Sequence, residues 1–167
     1  IKFFNVKSSS SIIVEPICSI VTFSFPERMP VAELYNSTLN LMDTLNTGGD
    51  WKPLYALWEL QVLEEMGFGL DLTSCAVTNV TQDLIYVSPK SGRAVSRKAA
   101  GEWKERLLPL PSFLRNKFET ANHEDILNSL KTTGHFLSSW LATSLGERKL
   151  PEARNRLISR LENKKFY

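Results

Sequence analysis

Asp83-Leu-Ile-Tyr-Val-Ser-Pro-Lys-Ser-Gly-Arg-Ala-Val-Ser-Arg97 joins a β-forming run to a breaker and then to a cluster of cations. Ile85, Tyr86 and Val87 are β-branched or aromatic, so the run from Leu84 to Val87 reads as a strand. Ser88-Pro-Lys-Ser-Gly92 ends it, because proline fixes φ and glycine accepts positive φ. Ala94-Val-Ser96 can return as a short second strand. Lys90 and Arg93 then stand at the tip of the turn, with Arg97 and Lys98 just behind. The stretch predicts a presented basic knuckle and carries no catalytic signature.

Helical patterns lie on both sides of it. Pro30-Val-Ala-Glu33 opens a helix with proline near its first position and an acid in its first turn. Leu34, Tyr35, Leu41, Met42 and Leu45 recur on one face, and Asn46-Thr-Gly-Gly49 ends the pattern. Asp50 is placed to cap a second helix with Pro53 in its first turn. Leu54, Leu57, Trp58, Leu60, Val62 and Leu63 spread around most of that helix, which predicts burial on several sides. Ser112 can cap a short helix reaching Phe118. Residues 123–145 read as one long helix with Ile126, Leu127, Leu130, Leu137, Leu141 and Leu145 inward. Pro151 starts a last helix that turns Ala153, Leu157, Ile158 and Leu161 inward and Arg154, Arg156 and Arg160 outward.

The fold expected is therefore mainly α: a helical bundle with an irregular β-hairpin insert over residues 70–110. The first 30 residues are the least regular. Phe3-Phe4 and Ile12-Ile-Val14 could form short strands around Ser8-Ser-Ser-Ser11, and Pro16, Pro26 and Pro30 argue against a long helix. Cys18 to Phe25 are mostly β-formers, and that piece stays open. Trp58 and Trp140, each with apolar neighbours at helical spacing, are expected in the core.

The bulk numbers suit a globular chain of one or two domains, with 43% hydrophobic and 23% charged residues in 167. No apolar run approaches the ~20 residues that would cross a bilayer, so no membrane contact is expected. Cys18 and Cys75 are too few for a disulfide framework and are expected as free thiols in the cytoplasm. Charge is unevenly spread. Residues 1–85 hold four Lys/Arg against ten Asp/Glu, and residues 86–167 hold sixteen against eight. A basic half predicts an anionic partner, nucleic acid or an acidic protein tail; the alternative is ordinary solvated surface.

A structural zinc site needs four ligands, usually two Cys-x-x-Cys pairs. Cys75 fills one position, Thr78 stands where its mate would be, and His123 and His135 are far off in sequence, so no metal and no cofactor is expected. No phosphate loop, nucleophile elbow or His-Glu-x-x-His occurs. Glu64-Glu65 point about 100° apart on a helix, and no sequence neighbour can activate Cys75. The chain is not expected to be an enzyme. Lys90, Arg93, Arg97, Lys98, Lys104 and Arg106 lie within seventeen residues, offset by Glu102 and Glu105 and interleaved with Tyr86 and Trp103. Cations with aromatics suit single-stranded nucleic acid. The candidate binding residues are Lys90, Arg93, Arg97 and Lys98. The alternative is a solvated turn beside two core aromatics.

The knuckle, together with Trp58-Glu-Leu-Gln-Val-Leu-Glu-Glu-Met-Gly-Phe-Gly-Leu-Asp-Leu72, Cys75-Ala-Val-Thr78, Arg106-Leu-Leu-Pro-Leu-Pro-Ser-Phe-Leu114 and Thr133-Gly-His-Phe-Leu137, resembles the C-terminal helical domain of the bacterial DNA repair protein RecO family. The wording Tyr86-Val-Ser-Pro-Lys-Ser-Gly-Arg-Ala-Val95 is that of its alpha-proteobacterial branch. The resemblance implies a non-catalytic mediator of recombination in the RecF pathway, associated with the nucleoid. Its implied partners are a RecR-like protein, single-stranded DNA and the acidic tail of single-stranded DNA-binding protein. That tail would sit in an apolar groove between helices with a cation at its rim, supplied by Arg154, Arg156, Arg160 or the knuckle. The family also implies an N-terminal OB-fold, for which the chain has no room. Residues 1–16 are expected as its remnant or a disordered lead, and residues 17–167 as the helical domain, with a helix before Phe25. The alternative is a protein-interaction module without DNA binding.

Overall fold

A computed structural model describes residues 11–163. Among the described residues six α-helices and one small sheet follow in the order α1 (Ser11–Ser24), α2 (Ala32–Asn46), α3 (Lys52–Glu65), β1 (Leu84–Val87), β2 (Ala94–Ser96), α4 (Arg97–Ala100), β3 (Leu108–Pro109), α5 (His123–Phe136) and α6 (Glu152–Glu162). The expected architecture, mainly helical with a β insert, is the one observed. The hairpin gains a third strand: β1 pairs antiparallel with β2 on one side and with β3 on the other.

The core gathers around α3, which buries Tyr55, Trp58, Val62 and Leu63 and packs on both α2 and α5. Trp58 is 1% exposed, and its indole N–H donates to Thr38 Oγ1 at 2.8 Å, satisfying the one polar atom of a buried ring. The helix starts are less regular than expected. Asp50 makes no cap, since α3 begins after Trp51; its carboxylate lies 3.8 Å from Lys52 Nζ instead. By contrast, α5 opens on a full capping box. Asn122 accepts from the Asp125 amide at 2.9 Å and donates its own amide to Asp125 at 3.0 Å. The helix continues through one π turn, Leu137–Ala142. The helix expected from Ser112 to Phe118 shrinks to one 3₁₀ turn, Ser112–Leu114.

The first helix corrects the β reading of Ile12-Ile-Val14. α1 runs through Pro16 and across the boundary expected at residue 16. Ile13, Ile17 and Ile20 recur at i, i+4 and i+7, all buried, on the helix that packs against α6. Burial of that stripe overrides the weak helix propensity of β-branched residues. Pro16 falls six residues in and forfeits one backbone bond. Phe3-Phe4 and the rest of the expected remnant up to residue 10 lie outside the described residues.

Arg154 is a second correction. It does not face outward but is 4% exposed, and it pairs with Glu59, 0% exposed, in the middle of α3. Arg154 Nε donates to Glu59 Oε1 at 2.7 Å and Nη2 to Oε2 at 2.9 Å, a bidentate geometry. Nη2 also donates to the Leu130 carbonyl, and the Thr133 hydroxyl donates to the same carboxylate. One pair thus fastens α3, α5 and α6. Gly134 makes room for it, because a Cβ there would stand 2.8 Å from Arg154 Nη1.

Candidate nucleic-acid interface

The insert is held by local hydrogen bonds around β1 and β2. Asp71 forms a parallel bridge with Arg93: its amide donates to the Gly92 carbonyl and its carbonyl accepts from Ala94. The Asp71 carboxyl also takes the Thr73 hydroxyl and amide and the Arg93 guanidinium, which together hold it below the usual carboxylate range. Arg97 Nε meets Asp83 at 3.3 Å, and Arg115 donates to the carbonyls of Leu72 and Thr81. Leu84 and Val87, the end residues of β1, are buried, while Val77 is 68% exposed.

Two contacts seat the knuckle on the long helix. Gly92 has φ +65, and its missing side chain lets Trp140 approach; a Cβ would stand 2.7 Å from the indole. His135 Nε2 lies 3.3 Å from the Pro89 carbonyl. Trp140, expected in the core, is only half-buried and packs edge-on against Phe136 at a centroid distance of 4.6 Å.

Cys75, the one cysteine that the sequence offers to a zinc site in the insert, lies just before the turn at residues 76–78. Burial raises its thiol, but the Thr78 hydroxyl and the amides of Ser96, Thr78 and Val77 outweigh burial and bring it from 9.0 to about 6. Folding thus supplies an activation invisible to sequence adjacency. The sulfur is nonetheless 0% exposed, which closes it to a substrate. Among the described residues no three His, Cys, Asp or Glu side chains converge as a metal donor set. One thiolate does not fit a four-ligand zinc centre. The Ser96 amide donates to the Cys75 sulfur at 3.3 Å, so a backbone hydrogen bond holds the buried sulfur.

The four candidate binding residues separate into two kinds. Arg93 and Arg97 are tied to Asp71 and Asp83. Lys90, at the turn, and Lys98, on α4, are exposed and form no ion pair among the described residues. Lys104 and Arg106, on the 3₁₀ turn Gly101–Arg106, are likewise exposed and unpaired. That turn also lifts Trp103 to 60% exposure, with Arg106 Cζ 4.9 Å from its ring centroid. Lys90, Trp103 and Arg106 line one groove of about 330 Å³, walled by Val95, Ala100 and Leu107.

A second groove, about 600 Å³, runs between α5 and α6. Leu127, Leu150 and Ile158 line it and Lys131 lies exposed beside them. Of the cations expected near such a groove, Arg154 is neutralised by Glu59 and Arg156 is paired with Glu15; Arg160 stays exposed.

The fold and this surface define a class: a helical domain that presents a small basic β knuckle between its third and fifth helices. The family model described as recombination protein O, C-terminal, matches residues 10–149. The chain belongs to that family. It is 50% identical over 145 residues to the protein named DNA repair protein RecO of Ruegeria sp. (strain TM1040), covering 87% of this chain and 60% of that protein. It is 51% identical over 146 residues to the RecO of Jannaschia sp. (strain CCS1), covering 87% and 59%. With the RecO of Paracoccus denitrificans it shares 47% over 148 residues, covering 89% and 60%. The chain therefore spans about 60% of the length of these relatives. No solved structure matches it.

Proposed function

We propose that the chain provides the helical binding part of a DNA repair and recombination mediator of the RecF pathway, acting through contacts, with no chemical step and no cofactor. The observation that carries this reading is the set of four exposed cations with no ion-pair partner among the described residues, borne with an exposed tryptophan on the knuckle and the two short helical turns after it. Charges that fold stability does not use remain available to phosphates. Relatives at about 50% identity are named DNA repair proteins, which points to the same process.

In this reading Lys90 and Lys98 contact single-stranded DNA, while Arg93 and Arg97 chiefly hold the knuckle in shape. The groove between α5 and α6, with an apolar floor and Lys131 at its side, suits the acidic, apolar-ended tail of single-stranded DNA-binding protein. A RecR-like protein is the further partner, and the protein works at the nucleoid. The helical domain in this scheme takes in residues 11–16 as well, because α1 runs through them without a break.

The test is annealing of complementary oligonucleotides coated with single-stranded DNA-binding protein. The chain should accelerate annealing, and removal of the coating protein's acidic tail should abolish the acceleration. Tail binding without any acceleration would make the chain a protein-interaction module that lacks DNA function.

A further inference from the structure

We infer that Trp103 is a base-stacking residue, and that the groove beside it seats one nucleobase of a single strand while Lys90 and Arg106 meet the flanking phosphates. This deepens the nucleic-acid reading above and rests on it. Three observations converge. Trp103 keeps 60% of its surface in solvent although Trp58 is almost fully buried, so its exposure is not forced by a lack of core. Arg106 lies over the indole at 4.9 Å, which braces the ring and places a cation beside any base that stacks on it. The groove of about 330 Å³ is at the small end of ligand clefts; it takes a planar ring and is too small for a helix or strand.

Charge selects the occupant. Lys90 and Arg106 line the same groove, and neither has a carboxylate partner among the described residues. An aromatic plate between unpaired cations is the arrangement that binds single strands with little sequence preference, since every base has a π-face. The 3₁₀ turn that carries it, Gly101–Arg106, is exposed along its length, so a strand can reach it without opening the fold.

The test is a titration of dye-labelled oligothymidylate with the chain, read by fluorescence anisotropy over a series of salt concentrations, comparing the parent with Trp103→Ala, Trp103→Phe and Lys90→Ala, with tryptophan emission recorded alongside for the parent. The oligonucleotide should quench the parent's emission. Trp103→Ala should weaken binding roughly tenfold to a hundredfold and leave the salt dependence unchanged, because stacking releases no counterions. Trp103→Phe should retain much of the affinity, and Lys90→Ala should flatten the salt dependence. Circular dichroism should show every variant folded, since the altered side chains are exposed. Parent-like affinity in Trp103→Ala, with Lys90→Ala still impaired, would overturn the stacking role and leave the nucleic-acid reading standing. A parent that ignores oligothymidylate, yet is quenched by an acidic peptide, would overturn both and give the groove to a protein partner.

Discussion

Glu59 is the residue on which most of the bundle's geometry converges. It is the one buried carboxylate of α3, whose other two, Glu64 and Glu65, sit in the last turn nearer solvent, and a buried charge of that kind requires a partner. Arg154 provides it from α6, and Thr133 from α5. Burial works against the guanidinium's charge, but the adjacent carboxylate more than compensates and raises its pKa. Burial and the charge of Glu59 likewise hold the neighbouring Tyr55 hydroxyl well above its ordinary range. Replacing Glu59 by Ala should cost about 3–5 kcal/mol, because Arg154 is left buried and unpaired. Replacing both, Glu59→Leu with Arg154→Met, should cost much less. Chemical denaturation of the three proteins measures this; equal losses in the single and double variants would mean that the pair does not act as a unit. Cys75 makes a second prediction at this scale. A thiol lowered on folding contributes stability that is complete above its unfolded value near 9 and is lost as pH falls toward 6. In a Cys18→Ser background, stability should therefore rise from pH 6 to 9, and Cys75→Ala should flatten that rise. Identical slopes in the two proteins would show that Cys75 stays protonated throughout.

The knuckle is the element whose shape most depends on contacts distant in sequence. Its strands were legible because Ile85-Tyr-Val87 and the Pro-Lys-Ser-Gly turn carry strong local preferences. Its anchors were not. Trp140 approaches Gly92 from a helix 48 residues away, and Arg115 reaches back to the carbonyls of Leu72 and Thr81. Gly92→Ala should cost about 1–3 kcal/mol, since the new methyl meets Trp140 at 2.7 Å and Leu70 at 3.0 Å, in a left-handed backbone conformation. Trimming the obstacle with Trp140→Leu should recover part of that loss in a double-mutant cycle. Strict additivity of the two substitutions would place the knuckle's support elsewhere. At Ile12-Ile-Val14 the strand reading failed for a related reason, while the helix that the resemblance implied before Phe25 is present as α1. Its β-branched residues and Pro16 argue locally against a helix, while the i, i+4, i+7 spacing of Ile13, Ile17 and Ile20 argues for one, and packing on α6 decides.

At the scale of the whole molecule, charge is sorted by use. Glu59, Asp71 and Asp83 neutralise Arg154, Arg93 and Arg97, so these arginines serve the fold. The acidic N-terminal half thereby supplies counterions to the basic half, and net charge along the sequence overstated the number of cations available to a partner. The six cations within residues 90–106 were visible at once, but ordinary periodicity does not say which of them meet carboxylates 14 and 22 residues earlier. Four have no ion-pair partner among the described residues, and all four are exposed: Lys90 on the knuckle, Lys98 on α4, and Lys104 and Arg106 on the 3₁₀ turn that follows. The central claim is that these residues contact phosphates. The salt dependence of binding to a single-stranded oligonucleotide tests it most directly, comparing the parent with the Lys90→Ala, Lys98→Ala double variant. Each lost contact should lower the slope of log affinity against log salt by about 0.7, so the double variant should fall by roughly 1.4. Its stability should change by no more than about 0.5 kcal/mol, because both side chains are exposed. A parent slope retained in full by the double variant would contradict the claim.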